Sequence, residues 1–242
     1  MTWLKPTWPA PHQVQAVCST RTGGISQAPF DTLNLGDHVG DQPAAVAHNR
    51  RLVAETLNLA STPLWLQQVH GVTVARHNVD NLGYSADASV SFEKTEVCVV
   101  MTADCLPVLF CDRAGTRVAA AHAGWRGLCD GVLEATVRAL DCDPADLLAW
   151  MGPAIGPQAF EVGSEVRAAF MAHHQQAAEA FKPKPDGKWL ADIYQLGRQR
   201  LAALGLVAVY GGEFCTYTQQ DRFFSFRRDG QTGRMASLIW LS

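Results

Sequence analysis

The stretch VCVVMTADCLPVLFCDRAGTRVAAAHAGWRG, residues 97–127, decides the fold. It holds three short apolar runs, 97–102, 107–111 and 118–121, which read as strands buried in a sheet. Asp112-Arg113-Ala114-Gly115 is a turn signal between the second and third runs, so these two are predicted to fold back on each other as a hairpin. From Gly124 the period changes. Leu128, Val132, Leu133, Ala135 and Val137 recur at helical spacing and predict a helix packed on that sheet.

Working outward, a strand over 13–19 precedes the turn Thr22-Gly23-Gly24. Asp41 and Pro43 announce a helix carrying Val46, Ala47, Val53, Ala54 and Leu57. Residues 65–69 and 72–75 read as strands joined through His70 and Gly71. Downstream, a strand at 147–151 is followed by a long helix over 164–181 and another over 191–204, with strands at 207–210 and 235–241. Strands and helices mix without strict alternation, so an α+β fold is predicted over a doubly wound sheet. The Pro/Lys-rich stretch 182–187 is too short to separate domains, and residues 1–242 are read as a single domain.

Composition narrows the function. With 242 residues, 48% of them apolar, the chain can bury a substantial core. A formal net charge of −3 and no basic run beyond the pairs Arg50-Arg51 and Arg227-Arg228 argue against nucleic acid or an anionic membrane as partner. No stretch approaches the roughly 20 apolar residues of a membrane span, and the first residues lack a signal-peptide profile. The seven cysteines form an odd set without CxxC, so reduced thiols and a cytoplasmic location are expected. No GxGxxG or P-loop follows a strand, which leaves dinucleotide and Walker-type sites without support.

Three metal-competent residues sit at strand ends or in their loops: His70, Cys105 and His122. Cys105 and His122 flank the predicted hairpin, and its open end places facing Cα atoms roughly 4.5–5.5 Å apart. A thiolate and an imidazole there could share one zinc, with His70 as a third ligand and the fourth tetrahedral position open, the pattern of a catalytic site. Spacing alone leaves other readings standing. Cys105 could be a small core residue, either histidine an ordinary hydrogen-bonding group, or Cys105 a nucleophile with His122 as its base.

At these residues the chain resembles the YfiH or laccase-domain family. The resemblance rests on Gln68-Val69-His70-Gly71, Thr102-Ala103-Asp104-Cys105-Leu106-Pro107 and His122-Ala123-Gly124-Trp125-Arg126-Gly127. Ser19-Thr20-Arg21-Thr22-Gly23-Gly24, Leu33-Asn34-Leu35-Gly36, Gly152-Pro153-Ala154-Ile155-Gly156, Phe160-Glu161-Val162-Gly163, Cys215-Thr216-Tyr217 and 223–230 agree as well. It implies a four-layer α/β/β/α sandwich and a zinc site of His70, Cys105 and His122. It further implies phosphorolysis of purine nucleosides (adenosine, inosine, guanosine or methylthioadenosine plus phosphate), with adenosine deaminase activity, an older copper polyphenol oxidase label and editing of peptidoglycan precursors as further associations.

Tested against the residues, these activities fare differently. Phosphorolysis needs an anion clamp, for which Arg21, beside its Gly-Gly turn, and Arg126 are the candidates. Asp87 is read as orienting a ligand or the ribose, or else as capping a turn. Zinc suits deamination, but the HxE and PCxxC signature of known zinc deaminases is absent. A multicopper oxidase needs many paired imidazoles, whereas this chain has eight His and no His-x-His. Copper could still occupy a Cys/His site, as it outranks zinc in affinity. A cysteine hydrolase using Cys105 and a non-catalytic zinc protein that binds a nucleoside are the remaining classes.

Overall fold

The computed structural model describes residues 1–76 and 85–242. In chain order the first half contains β1 (Trp3–Leu4), β2 (Val14–Ser19), α1 (Pro43–Thr56), β3 (Val74–Arg76), β4 (Ala88–Ser91), β5 (Val97–Thr102), β6 (Leu106–Asp112) and β7 (Val118–Ala123). Helices α2 (Trp125–Asp130) and α3 (Val132–Ala139) follow, then β8 (Leu147–Met151), β9 (Glu161–Val162) and α4 (Ser164–His173). The chain closes with β10 (Phe181–Pro183), β11 (Trp189–Ala191), α5 (Ile193–Ala203), β12 (Val209–Gly211), α6 (Phe226–Asp229) and β13 (Met235–Leu241).

Two sheets stack in the centre. The larger has the order β12-β8-β6-β7-β4-β3 and the smaller β1-β2-β13-β5, while β10-β11-β9 make a small third sheet. In the larger sheet the two outermost pairs, β12 with β8 and β3 with β4, are parallel. Its middle is antiparallel. The smaller sheet is antiparallel throughout.

The two-residue period of a strand explains the four layers. Side chains alternate between faces, and here both faces of the central strands are covered. On β6, Leu106, Val108 and Phe110 pack with Leu128, Leu133, Val166 and Leu196 of the helical layer. Leu109 and Cys111 point the other way, against Cys98 and Val100 of β5 and Ile239 of β13. The smaller sheet repeats the pattern: Val97, Val99 and Leu238 turn outward to Val53 of α1. The order is therefore helices, large sheet, small sheet, α1, which is the mixed α/β sandwich expected from the resemblance. Double burial also explains why residues 97–123 read as unbroken apolar runs instead of an alternating pattern.

Most predicted elements form, and the exceptions have local causes. Pro43 is the first residue of α1, as expected, because its missing N–H costs nothing there. Residues 65–69 do not form the predicted strand; only isolated bridges Leu64 to Cys98 and Gln67 to Ser85 appear. The Gln68 side chain takes the place of a strand backbone. Its amide nitrogen donates to the Met101 carbonyl at 2.8 Å, and its oxygen accepts from the Met101 N–H at 2.7 Å. The helix after Gly124 is two helices, since Gly131 adopts φ 104° between them. The long helix predicted over 164–181 stops at His173, and a 3-10 segment then leads into β10, where Phe181 pairs with Ala191. All seven cysteines are free, and no helix among the described residues is long and apolar enough to cross a membrane.

Leu109 is wholly buried between the two sheets. Leu109→Ala should lower unfolding stability by about 2–5 kcal/mol in a urea titration; a loss well below 1 kcal/mol would show that the sheets do not pack there.

Candidate metal centre

The open end of the β6–β7 hairpin builds most of the site. Pro107 pairs with His122 and Leu106 with Ala123, so Cys105, one residue before β6, comes beside His122 in β7. His70 arrives from the loop before β3 and closes the group. Its Nε2 lies 3.7 Å from Cys105 Sγ, and its ring meets that of His122 edge-on with centroids 4.8 Å apart. The donor atoms of all three residues lie within 4.8 Å of one another, a set able to hold a metal ion. His122 is buried, Cys105 half-buried and His70 exposed, so the group opens to solvent on the His70 side.

Asp87, just before β4, organises this arrangement. Its carboxylate accepts N–H groups from Val69 at 3.2 Å, His70 at 2.9 Å and Gly71 at 2.6 Å. The same carboxylate meets His122 Nδ1 at 2.8 Å. The His70 backbone is held at φ 62°, a left-handed conformation that a non-glycine residue keeps only when its surroundings impose it. With Nδ1 engaged, His122 has Nε2 left for a ligand, the carboxylate–histidine relay that orients metal-binding imidazoles.

Cys105 is aimed by a second anchor. Asp104 sits at φ 94°, and its carboxylate accepts the Thr216 hydroxyl and the Arg227 N–H, both at 2.6 Å. Its carbonyl accepts the Ile155 N–H at 2.9 Å. The third constraint is an absence of side chain. A Cβ on Gly124 would stand 2.5 Å from His70 Cδ2 and 3.1 Å from Cys105 Sγ, and one on Gly127 2.7 Å from the Gly71 carbonyl oxygen.

Charge is concentrated in this small volume. Burial raises the Cys105 thiol, but the His122 and His70 imidazoles outweigh it and bring the pKa down to about 6. His122 moves the opposite way: burial disfavours its charge, yet the Cys105 thiolate and the Asp87 carboxylate raise it to about 9. Asp87, although buried, is held below its ordinary range by His122 and the Gly71 N–H. The metal-free site is thus a thiolate–imidazolium pair backed by a carboxylate. Elsewhere burial pushes Cys18, Cys98 and Cys111 up to about 12.

The other residues singled out from the sequence stand apart from the trio in different ways. Asp87 caps the 69–71 turn, the second of its two sequence readings, and its carboxylate is buried behind the histidines. The Arg21 guanidinium is engaged with the Asp31 carbonyl, the Asp31 carboxylate and the Gln220 carbonyl, above the Phe224 ring. Arg126 is exposed and stacked on Trp125 at 4.5 Å. Phe223 and Phe224 are core, whereas Phe226 is 58% exposed. Sequence reasoning missed Asp104, Gly124 and Gln68. Only their places inside the segments carrying the resemblance mark them. A second donor group, Cys129, Asp130 and His173, gathers at the C-terminal ends of α2 and α4, with two of its members exposed.

Comparison with known proteins agrees with this architecture. The family model described as multi-copper polyphenol oxidoreductase laccase matches residues 15–242, and the chain belongs to that family. Over 99% of its length it is 58% identical to a purine nucleoside phosphorylase of Pseudomonas aeruginosa, covering 98% of that protein. It is likewise 58% identical to the Escherichia coli purine nucleoside phosphorylase YfiH, over 98% of each chain. The crystal structure of a Neisseria meningitidis protein superposes with a TM-score of 0.95 at 51% identity, covering 100% of both chains. YlmD from Geobacillus stearothermophilus gives 0.89 at 29% identity, covering 100% of this chain and 96% of its own.

Three outcomes test the site. In metal-free protein, alkylation of Cys105 followed by peptide mapping should rise with pH through a midpoint near 6, because the thiolate is the form present above its pKa. Asp87→Asn should move that midpoint upward by weakening the imidazolium; an unshifted midpoint near 9 in the parent protein would contradict the pairing. Gly124→Ala should weaken metal affinity at least about tenfold while the fold persists, since its methyl meets His70 instead of the core.

Proposed function

We propose that His70, Cys105 and His122 hold one zinc ion and that the site phosphorolyses purine nucleosides, releasing the free base and ribose 1-phosphate. The observation that carries the metal assignment is the convergence of one sulfur and two imidazole donors on a point open to solvent on one side. One soft thiolate and two imidazoles suit zinc, and three protein ligands leave a position for a reactant. The relatives named purine nucleoside phosphorylase, similar over nearly their whole length, support the reaction class.

In phosphorolysis a phosphate oxygen bonds to C1′ of the ribose while the C1′–N9 bond breaks, and its electron pair departs with the purine, which takes up a proton. The ribose is oxocarbenium-like at the transition state. Zinc, when bound, supplies Lewis-acid polarisation of an oxygen or nitrogen at the open position. The chain's own residues do the positioning. Asp87 holds the His70 turn and His122 in one frame, so two of the three ligands are oriented by one carboxylate. The His70 side is the exposed one, and substrate enters there, past Val69 (52% exposed) and Val72 (38% exposed). Arg126, exposed on the first turn of α2 after Gly124, contacts substrate oxygens in this reading.

A second reading is favoured by one observation. A lowered Cys105 and a raised His122 are also the signature of a thiolate nucleophile with its imidazolium partner. That reading makes the protein a cysteine hydrolase. Adenosine deamination and copper oxidation have less support. The carboxylate beside the trio, Asp87, is taken up by the 69–71 turn and His122 and is not free to act as the acid/base group of a deamination. The two donor groups of the described residues hold two imidazoles and one imidazole respectively, fewer than the many paired imidazoles a multicopper oxidase needs.

Protein of measured zinc content, incubated with adenosine, should release adenine only when phosphate is present. Inosine would instead indicate deamination, and no product with any purine nucleoside would refute the assignment. Cys105→Ala should lose both zinc and turnover; zinc retained with turnover lost, or full activity in metal-free protein, would favour the nucleophile.

A further inference from the structure

Phosphorolysis requires a place for inorganic phosphate, and the Arg21 guanidinium is already engaged with Asp31 and the Gln220 carbonyl. A different arginine stands beside Cys105 with spare donors. Met235, the first residue of β13, pairs with Thr102, the last of β5, so Arg234 lies next to the Ala103-Asp104-Cys105 turn. Its backbone N–H is tied to Asn34 Oδ1 at 2.9 Å. Gly36 makes room for its stem, since a Cβ there would stand 2.7 Å from Arg234 Cγ. The Leu33-Asn34-Leu35-Gly36 segment, otherwise far along the chain from the trio, thereby acquires a role: it seats this side chain.

The guanidinium is half-buried and has no carboxylate partner among the described residues. Its Nη1 donates to the Thr232 and Gly233 carbonyls at 2.9 and 3.0 Å, and Nε and Nη2 have no acceptor among the described residues. The nearby Arg50, by contrast, is occupied by Asp37 at 3.3 Å and by the Leu35 carbonyl. One flank of Arg234 is the Phe226 ring, its centroid 6.0 Å away. The segment bearing Phe226 is pinned to the site by the Arg227 N–H bond to the Asp104 carboxylate. Burial lowers the pKa of Arg234, while the Cys105 and Asp104 charges oppose that effect, which places the guanidinium within electrostatic reach of both. An arginine taken partly out of water without a carboxylate is costly unless an anion completes it.

We infer that Arg234 forms an oxyanion subsite at the mouth of the metal centre, binding inorganic phosphate through Nε and Nη2. This rests on the phosphorolysis reading for its role in turnover, but binding of the anion does not depend on it. The two donors, side by side on a planar fork, match two oxygens of a tetrahedral oxyanion. Exposed Phe226 forms an apolar wall beside the guanidinium.

The test compares wild-type protein, Arg234→Met and Arg234→Lys, each with zinc content and melting temperature measured. Phosphate affinity is read by calorimetry at constant ionic strength set with chloride, and KM is obtained separately for phosphate and for adenosine. Arg234→Met should weaken phosphate binding and raise its KM about 10- to 100-fold, with zinc content and adenosine KM unchanged; Arg234→Lys should recover part of the loss. An unchanged phosphate affinity overturns the subsite, and so does a loss of zinc or an equal rise in both KM values, which would mark Arg234 as structural. If phosphate binds wild-type protein and is lost in Arg234→Met while no base is ever released, the subsite stands and the reaction assignment fails. If Arg234→Met turns over normally with an unaltered phosphate KM, the reaction stands and the subsite fails.

Discussion

One buried carboxylate holds the site together. Asp87 has no exposed surface, and an ionised carboxylate there is tolerable only because its oxygens meet four donors, three backbone N–H groups and one imidazole. Because those donors come from both sides of the site, satisfying the charge also sets the geometry. The 69–71 turn is drawn in, which presents His70. The His122 ring is fixed through Nδ1, which leaves Nε2 facing the other two donors of the group. The cost of burying Asp87 and the order of the ligand set are two aspects of one interaction.

The sandwich supplies what that interaction cannot. Cys105 and His122 are neighbours because a hairpin brings its open ends together, and the hairpin is rigid because both of its faces are covered, one by helices and one by the smaller sheet. The conformationally costly residues cluster at the same end. His70 and Asp104 are left-handed, and Gly124 is stripped of a side chain to let the imidazole approach. Strain of this kind persists only where the surrounding hydrogen bonds over-determine it. Asp104 is such a case, bonded through both carboxylate oxygens and its carbonyl to three separate segments.

Much of this was legible in the chain itself. Apolar runs bounded by turns located β5, β6 and β7, and the hairpin they imply brought Cys105 to His122. His70 was different. Its neighbours suggested strands, and only the resemblance to a known family joined it firmly to the other two. What escaped detection did so for physical reasons. A glutamine amide can stand in for a strand backbone, as Gln68 does against Met101, and no periodicity reveals it. A left-handed aspartate such as Asp104 looks like any loop residue. Asp87 could be read as facing a ligand or as capping a turn, because the distinction depends on burial and not on identity. Arg234 was not legible because what sets it apart is the absence of a carboxylate partner among the described residues, which only the folded structure shows.

The central claim is that one sulfur and two imidazole nitrogens from this chain bind a single zinc ion in a frame set by Asp87. X-ray absorption at the zinc edge of the fully loaded protein tests it most directly. The account predicts one sulfur at about 2.3 Å and two imidazole nitrogens at about 2.0–2.1 Å, with the remaining scatterer a light atom. A spectrum without sulfur, or with two sulfurs, would place the metal elsewhere and contradict it.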